Sequence, residues 1–305
     1  MTSSTVLEAR TRVLEKTRVL VFALKAGGTA KTSSCTSLAA ILGARGYKVL
    51  VIDLDPQCNS SQVLGFGRFR PEQKGITHVM KEEVQLQDAV VQARYLVDDI
   101  DPEDPDAAYE PIENVFIVPG NVDDPDVDET ERLLNDPKYA DSYWIRDGLA
   151  DMDGQWDAVL IDCPATYGRA TVTAFVALDK NVDGEVVPPI LCTFKEGGAL
   201  VRLEKKLQEI RELRKYAVKG IQPEMRHVLV CCAPNSSFGT KEHFRTLGEI
   251  EEAYADVLLP LVHWSGEVPK IYRDECPVPI LAPNSMPAQE YNKVASALGF
   301  PQRAG

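Results

Sequence analysis

Residues 19–34, Val-Leu-Val-Phe-Ala-Leu-Lys-Ala-Gly-Gly-Thr-Ala-Lys-Thr-Ser-Ser, restrict the fold of this chain more than any other stretch. Residues 19–24 are apolar and β-prone, and the small residues after them read as a loop. Lys31 and Thr32 then open a segment, 32–45, with Leu38, Ile41 and Leu42 on one helical face. A buried strand, a small-residue loop and a helix start, in that order, make an anion cradle. Loop N–H groups and the positive helix end face the ligand, and Lys31 adds a point charge. Thr32 offers a hydroxyl to a Mg²⁺ ion bridging phosphates. The usual spacing for such a loop is G-x-x-x-x-G-K-[ST]. Here Lys25 stands at the first glycine position and Ala30 at the second, with the pair Gly27-Gly28 between them. Ala30 adds one methyl to a tight loop, which is expected to be tolerated where the backbone keeps φ negative.

Further apolar runs fall at 48–52, 115–118, 158–161, 186–193, 228–232 and 258–262. Their alternation with helical stretches predicts an α/β fold, a mostly parallel, twisted sheet with helices on both faces. Polar residues cluster just after these runs, on the edge where open parallel sheets bind ligands. Asp53 and Asp55 follow the 48–52 run, and Asp162 follows the 158–161 run, where a carboxylate can hold Mg²⁺ directly or through water. The clearest helix is 199–219. Leu200, Leu203, Leu207, Ile210 and Leu213 form its apolar stripe, and its outer face is mostly basic, either solvated or turned to DNA or a partner.

The net charge of −13 is local in origin. Of 46 acidic residues, 14 lie in 98–131, which holds no Lys or Arg; the remaining 32 nearly balance 33 basic residues. This predicts an irregular acidic insertion on a near-neutral body, with 65–150 as loops around one strand. Contact with DNA elsewhere stays compatible with such a body. No run approaches the ~18 apolar residues of a membrane span, and the first residues lack the apolar core of a signal peptide. Seven cysteines without a C-x-x-C pair argue against a disulfide framework or a zinc site and fit a reducing cytoplasm. The expected organisation is an arm at 1–18, one domain at 19–300 and a tail at 301–305.

Three segments in combination, 25–32, 53–59 and 156–164, resemble the ParA/MinD family of deviant-Walker P-loop ATPases. The likeness is greatest to a ParA-type DNA-partition ATPase without an N-terminal helix-turn-helix domain. Segments 194–200 and 278–291 are weaker matches. The resemblance implies a P-loop NTPase fold with ATP and Mg²⁺ as cofactors. The phosphate loop would comprise Lys25, Ala26, Gly27, Gly28, Thr29, Ala30, Lys31, Thr32 and Ser33, with Lys31 on the β- and γ-phosphates. Thr32 would ligate Mg²⁺, Asp162 and Asp53 would support the ion, and Asp55 would orient the attacking water. Asn235 and the 283–285 loop, with Pro283 and Asn284, would approach the base. The family's signature lysine, immediately before the glycine pair, falls on Ala26, and Lys25 stands one residue earlier. Either a remodelled loop lets Lys25 act across a dimer, or ATP serves mainly as a binding switch.

The same resemblance implies an ATP-dependent homodimer that binds DNA non-specifically and is released when a ParB-like centromere-binding adaptor stimulates hydrolysis. Lys241, Lys270 and Arg273 lie where the family presents DNA-binding basic residues. The Pro and Gly of the last residues disfavour a membrane helix, so no membrane partner is expected and the location would be cytoplasmic and nucleoid-associated. The alternative is a MinD-like, nucleotide-switched positioning scaffold that recruits a protein without DNA. A biosynthetic enzyme that activates a carboxylate with ATP ranks last, because 65–150 lacks convergent polar groups for a second substrate.

Overall fold

The computed structural model describes residues 17–68, 72–97, 108–120, 143–152, 154–179, 182–214 and 220–303, without the side chains of 194–197 and 213–214. In chain order the strands are β1 (Arg18–Phe22), β2 (Val49–Asp53), β3 (Val91–Leu96), β4 (Tyr109–Val118), β5 (Ala158–Asp162), β6 (Asp183–Val186), β7 (Pro189–Ile190) and β8 (Leu229–Val230). The α-helices of four residues or more are α1 (Lys31–Ala44), α2 (Ile76–Met80), α3 (Trp144–Asp151), α4 (Arg169–Val176), α5 (Phe194–Arg214), α6 (Lys241–Ala253), α7 (Val278–Leu281) and α8 (Met286–Ala297), and a short helical turn lies at Asn59–Ser61.

A six-stranded sheet has the order β3-β4-β2-β5-β1-β6, parallel throughout except for the β3–β4 pair. Its central strands read as unbroken apolar runs because both faces are covered. Val19, Val21, Leu50, Ile52, Val159 and Ile161 enter one core with residues of α3, α4, α5 and α6. Leu20, Phe22, Val49, Val51, Ala158 and Leu160 enter the other, with α1 and α8. Each such side chain, removed from water, contributes about 1.5–3 kcal/mol.

Two expectations for the strands are corrected. The 186–193 run divides into the end of β6 and the start of a separate two-stranded sheet, β7–β8, because Pro188 and Pro189 interrupt it. The 258–262 run forms only isolated parallel bridges, Val228 to Leu258 and Ala233 to His263. Region 65–150 is also more regular than expected. It holds β3, a longer β4, α2 and α3, and β4 runs through the middle of the acidic stretch. The rest of that stretch, 98–107 and 121–131, lies outside the described residues, as do 1–16, 215–219 and 304–305.

Both sheet edges are covered. Gly65 (φ 82) packs on the outer side of β3, where a Cβ would stand 2.4 Å from Arg94 Cγ. Arg94 Nε donates to the Gly65 carbonyl at 3.0 Å, and Leu96 N donates to the Glu275 carbonyl at 3.2 Å. On β6, Val186 N donates to the Glu224 carbonyl at 2.8 Å and Arg226 Nη2 to the Gly184 carbonyl at 2.6 Å.

α1 is buried from Lys31 through Gly43, not along one stripe alone. The reason is α8, which closes its outer side: Ser34 Oγ meets Tyr291 Oη at 3.1 Å near one end. At the other end the Arg45 guanidinium bonds Asn292, Ser296 and the Phe300 carbonyl. In α5, Leu200, Leu203, Leu207 and Ile210 are buried as the stripe predicts; Leu213 lies outside the described side chains.

Candidate nucleotide site

The loop between β1 and α1 folds back on itself: Ala26 N donates to the Leu24 carbonyl at 2.8 Å, and Lys31 Nζ donates to the Ala26 carbonyl at 2.9 Å. Lys31 is buried, whereas Lys25 is exposed on the loop. A Cβ built on Gly27 or Gly28 would meet nothing within 4 Å, so the space above the glycine pair is open. Thr29 and Ser33 are buried beneath it.

Ala30 departs from expectation. Its φ is 65 and its ψ 25, in the left-handed region. A side chain there costs about 1–2 kcal/mol, and such strain collects at ligand-gripping turns. Ala30→Gly is expected to raise ligand-free stability by about 1 kcal/mol, once the added freedom of unfolded glycine is deducted. Chemical denaturation checks this, and a destabilised variant would show that the turn carries no strain.

Beneath the loop, β2 and β5 pair so that Asp53 and Asp162 stand side by side, and both are fully buried. Asp162 Oδ2 accepts from Thr32 Oγ1 and Ser60 Oγ, each at 2.7 Å, while its Oδ1 is buried with no partner among the described residues. Asp53 Oδ2 accepts from Ser61 Oγ at 2.7 Å and Ser61 N at 2.8 Å. Burial pushes the Asp162 carboxyl up to about 6 against the pull of Thr32, Ser60 and Lys31. Burial and the neighbouring Asp162 push Asp53 up as well. Two desolvated carboxyl groups beside hydroxyls, one with an oxygen left unbonded, suit a hard divalent cation with oxygen ligands. The residues present therefore fit Mg²⁺, with Thr32, Asp162 and Asp53 as the oxygens that could hold it. Asp55 is half-buried at the rim, its Oδ1 accepting from Gln57 N at 3.0 Å.

The remaining site expectations lie farther along the carboxyl edge. Asn235 closes a tight turn with Phe238, and its Nδ2 donates to the Trp264 carbonyl at 3.3 Å. Pro283 and Asn284 are exposed just ahead of α8. Lys241 is exposed at the first turn of α6. Lys270 pairs with both oxygens of Glu267 at 2.9 Å, and Arg273 pairs with Asp274. Sequence reasoning missed Ser60, Ser61 and Tyr272. The two serines hold the carboxylates, and burial pushes up a Tyr272 phenol that lies near Ser33 and Thr32. A serine pair five residues past Asp55 was the available signal; Tyr272 had none.

Residues 17–222 match the family model AAA_31, described as an AAA domain. The chain belongs to this family, among the ParA/MinD-type P-loop ATPases. The chromosome partitioning protein ParA of Caulobacter vibrioides is 32% identical over 196 residues, which cover 64% of this chain and 63% of that protein. The match thus spans less than two thirds of the length of that relative. Among solved structures, the ATP complex of a single-residue variant of Cyanothece McdA superposes with a TM-score of 0.73 at 19% identity, over 95% of this chain and all of that one. The septum site-determining protein MinD of Pyrococcus horikoshii, complexed with Mg-ADP, gives 0.64 at 20% identity, over 93% and 96%. At those identities the likeness is one of fold, and it agrees with the expected parallel sheet. Among the described residues, no helix of this ParA/MinD-type chain is long and apolar enough to cross a membrane.

Proposed function

We propose that the chain is a Mg²⁺-dependent ATPase that works as a partition or positioning switch. One observation carries this reading: Lys31 and Thr32 open a buried helix directly over the Asp53–Asp162 pair, where Asp162 Oδ1 lacks a partner among the described residues. Phosphoryl transfer asks a protein mainly for positioning and charge neutralisation. Loop N–H groups around Gly27 and Gly28 and the Lys31 ammonium would hold the phosphates. Thr32, Asp162 and Asp53 would hold the ion, which would neutralise charge on the transferring group. Asp55, at the rim, would orient water, and Asn235, Pro283 and Asn284 would face the base. Lys25, exposed and unburdened by the loop's own bonds, would reach a second copy, so that ATP closes a homodimer. That dimer would hold DNA without reading its sequence, through Lys241, Lys270 and Arg273. A ParB-like adaptor would trigger hydrolysis and release, with the protein on the nucleoid in between.

The ion pairs of Lys270 and Arg273 favour a second reading, a positioning scaffold that recruits a protein and leaves DNA alone. Gel shifts with and without Mg-ATP separate the two. Under the first reading the shift needs ATP and fades by about 10³-fold or more in affinity between 50 and 200 mM salt. No shift at low salt leaves the scaffold. In the same preparation Lys25→Ala is expected to lower turnover by about 10²-fold, the scale of one lost transition-state charge contact. Unchanged turnover would remove Lys25 from the reaction.

A further inference from the structure

Four consecutive residues, Ser60 to Val63, join the carboxylate pair to a distant part of the chain. Ser60 and Ser61 grip Asp162 and Asp53, as described above. Gln62 Nε2 then donates to the Tyr272 carbonyl at 2.9 Å. Val63 packs with Ile271 in a small separate core that also includes Val278 and Ala288, and Val63 and Ile271 are fully buried. The segment so gripped, a 3₁₀ turn at Val268–Tyr272, carries Lys270 and runs directly into Arg273. Its far end returns to the site, where the Tyr272 phenol lies near Ser33 and Thr32. Asp53 and Asp162 are direct register partners, held from the side by Ser60, Ser61 and Thr32. A bound cation would add a further partner to the same two carboxyl groups, so the segment 60–63 would meet different interactions in the empty and the loaded site.

We propose that residues 60–63 relay occupancy of the nucleotide site to the segment 268–273, with Gln62 as the positioning residue. Nucleotide and Mg²⁺ tighten the serine grips, and the Gln62–Tyr272 bond and the Val63–Ile271 packing stiffen the basic segment. Lys270 and Arg273 are thereby set for a binding surface only in the loaded state. The inference rests on the nucleotide site proposed above and adds the route by which that site controls the surface.

Hydrogen–deuterium exchange of peptides covering 266–276 tests the relay, with nucleotide affinity measured by calorimetry on the same samples. The probe is a non-hydrolysable ATP analogue with Mg²⁺, on wild type and on Gln62→Met, which keeps the side-chain stem and deletes the donor. In wild type the analogue is expected to slow exchange there by about fivefold, the scale of one neutral hydrogen bond. Gln62→Met is expected to bind the analogue as wild type does and to lose most of that slowing. Wild type that binds the analogue with unchanged exchange overturns the relay, as does a Gln62→Met protein that keeps the full slowing. Gln62→Ala replaces Gln62→Met if the latter does not fold. Wild type that fails to bind removes the nucleotide site and the relay together, and calorimetry alone reveals that case.

Discussion

Ligand-free Asp162→Asn protein is expected to melt several degrees above wild type at pH 7, and its nucleotide affinity is expected to lose its dependence on Mg²⁺. The first effect follows from the burial of Asp162 beside Asp53. Its carboxyl is pushed from an ordinary 3.8 up to about 6. A folded-state value above the unfolded one means that the stabilisation is complete below 3.8 and lost as pH rises through about 6. At pH 7 the ionised carboxylate is therefore a liability of about 1–3 kcal/mol to the empty protein. Asparagine keeps an acceptor for Thr32 and Ser60 and removes the charge. The second effect is the counterpart of the first, because the same charge is what a cation would use. Thermal melts from pH 7 to pH 5 check the sign. Wild type should gain stability on acidification through this range, and Asp162→Asn should gain less, because Asp53 keeps the part of its upward shift that burial causes. Carboxylates held low, such as Asp274 beside Arg273, act only at more acid pH and do not mask the trend. A variant that melts below wild type at pH 7, with Mg²⁺ dependence intact, would show that the pair does not form the cation site.

Lys31→Ala is expected to weaken ATP binding by about 10²–10³-fold, the range for removing one preorganised charge contact from a dehydrated site. Lys31 is only 7% exposed, yet among the described residues its ammonium bonds one loop carbonyl, Ala26 at 2.9 Å. An ammonium has three donors, and one neutral acceptor leaves most of its capacity for an incoming anion. The fold itself asks little of it. Losing the bond to Ala26 should cost about 1 kcal/mol, since that carbonyl can turn to water. Calorimetry at constant Mg²⁺, with melting curves on the same samples, separates lost affinity from lost structure. An affinity within a few-fold of wild type would place the triphosphate somewhere other than over α1.

Much of this was legible in the sequence because the informative residues are local. A strand, two glycines and Lys31-Thr32 lie within sixteen residues, and Asp53 and Asp162 each end an apolar run. Parallel pairing then puts those ends together without further information. What the sequence hid depends on distant neighbours. β3 escaped notice because Gln92 and Arg94 interrupt a six-residue run, and the strand exists by pairing with β4 and packing under Gly65. The left-handed turn at Ala30 is invisible because alanine does not announce it, and the sign of φ there was misjudged. The full burial of α1 does not follow from the one face that Leu38, Ile41 and Leu42 mark, because α8, some 250 positions later, covers the small polar residues of the rest. Tyr272 reaches Ser33 and Thr32 from a similar separation, and no spacing rule connects them.

The covered edges of the sheet have a bearing on how copies can associate. With Gly65 and Glu275 on β3, and Glu224 and Arg226 on β6, neither outer strand is left bare for another chain to extend. Backbone augmentation, a route to filaments and other lasting assemblies, is disfavoured at the positions these bonds occupy. The homodimer proposed above would then rest on side chains and loops, and contacts of that kind separate without unzipping a ladder.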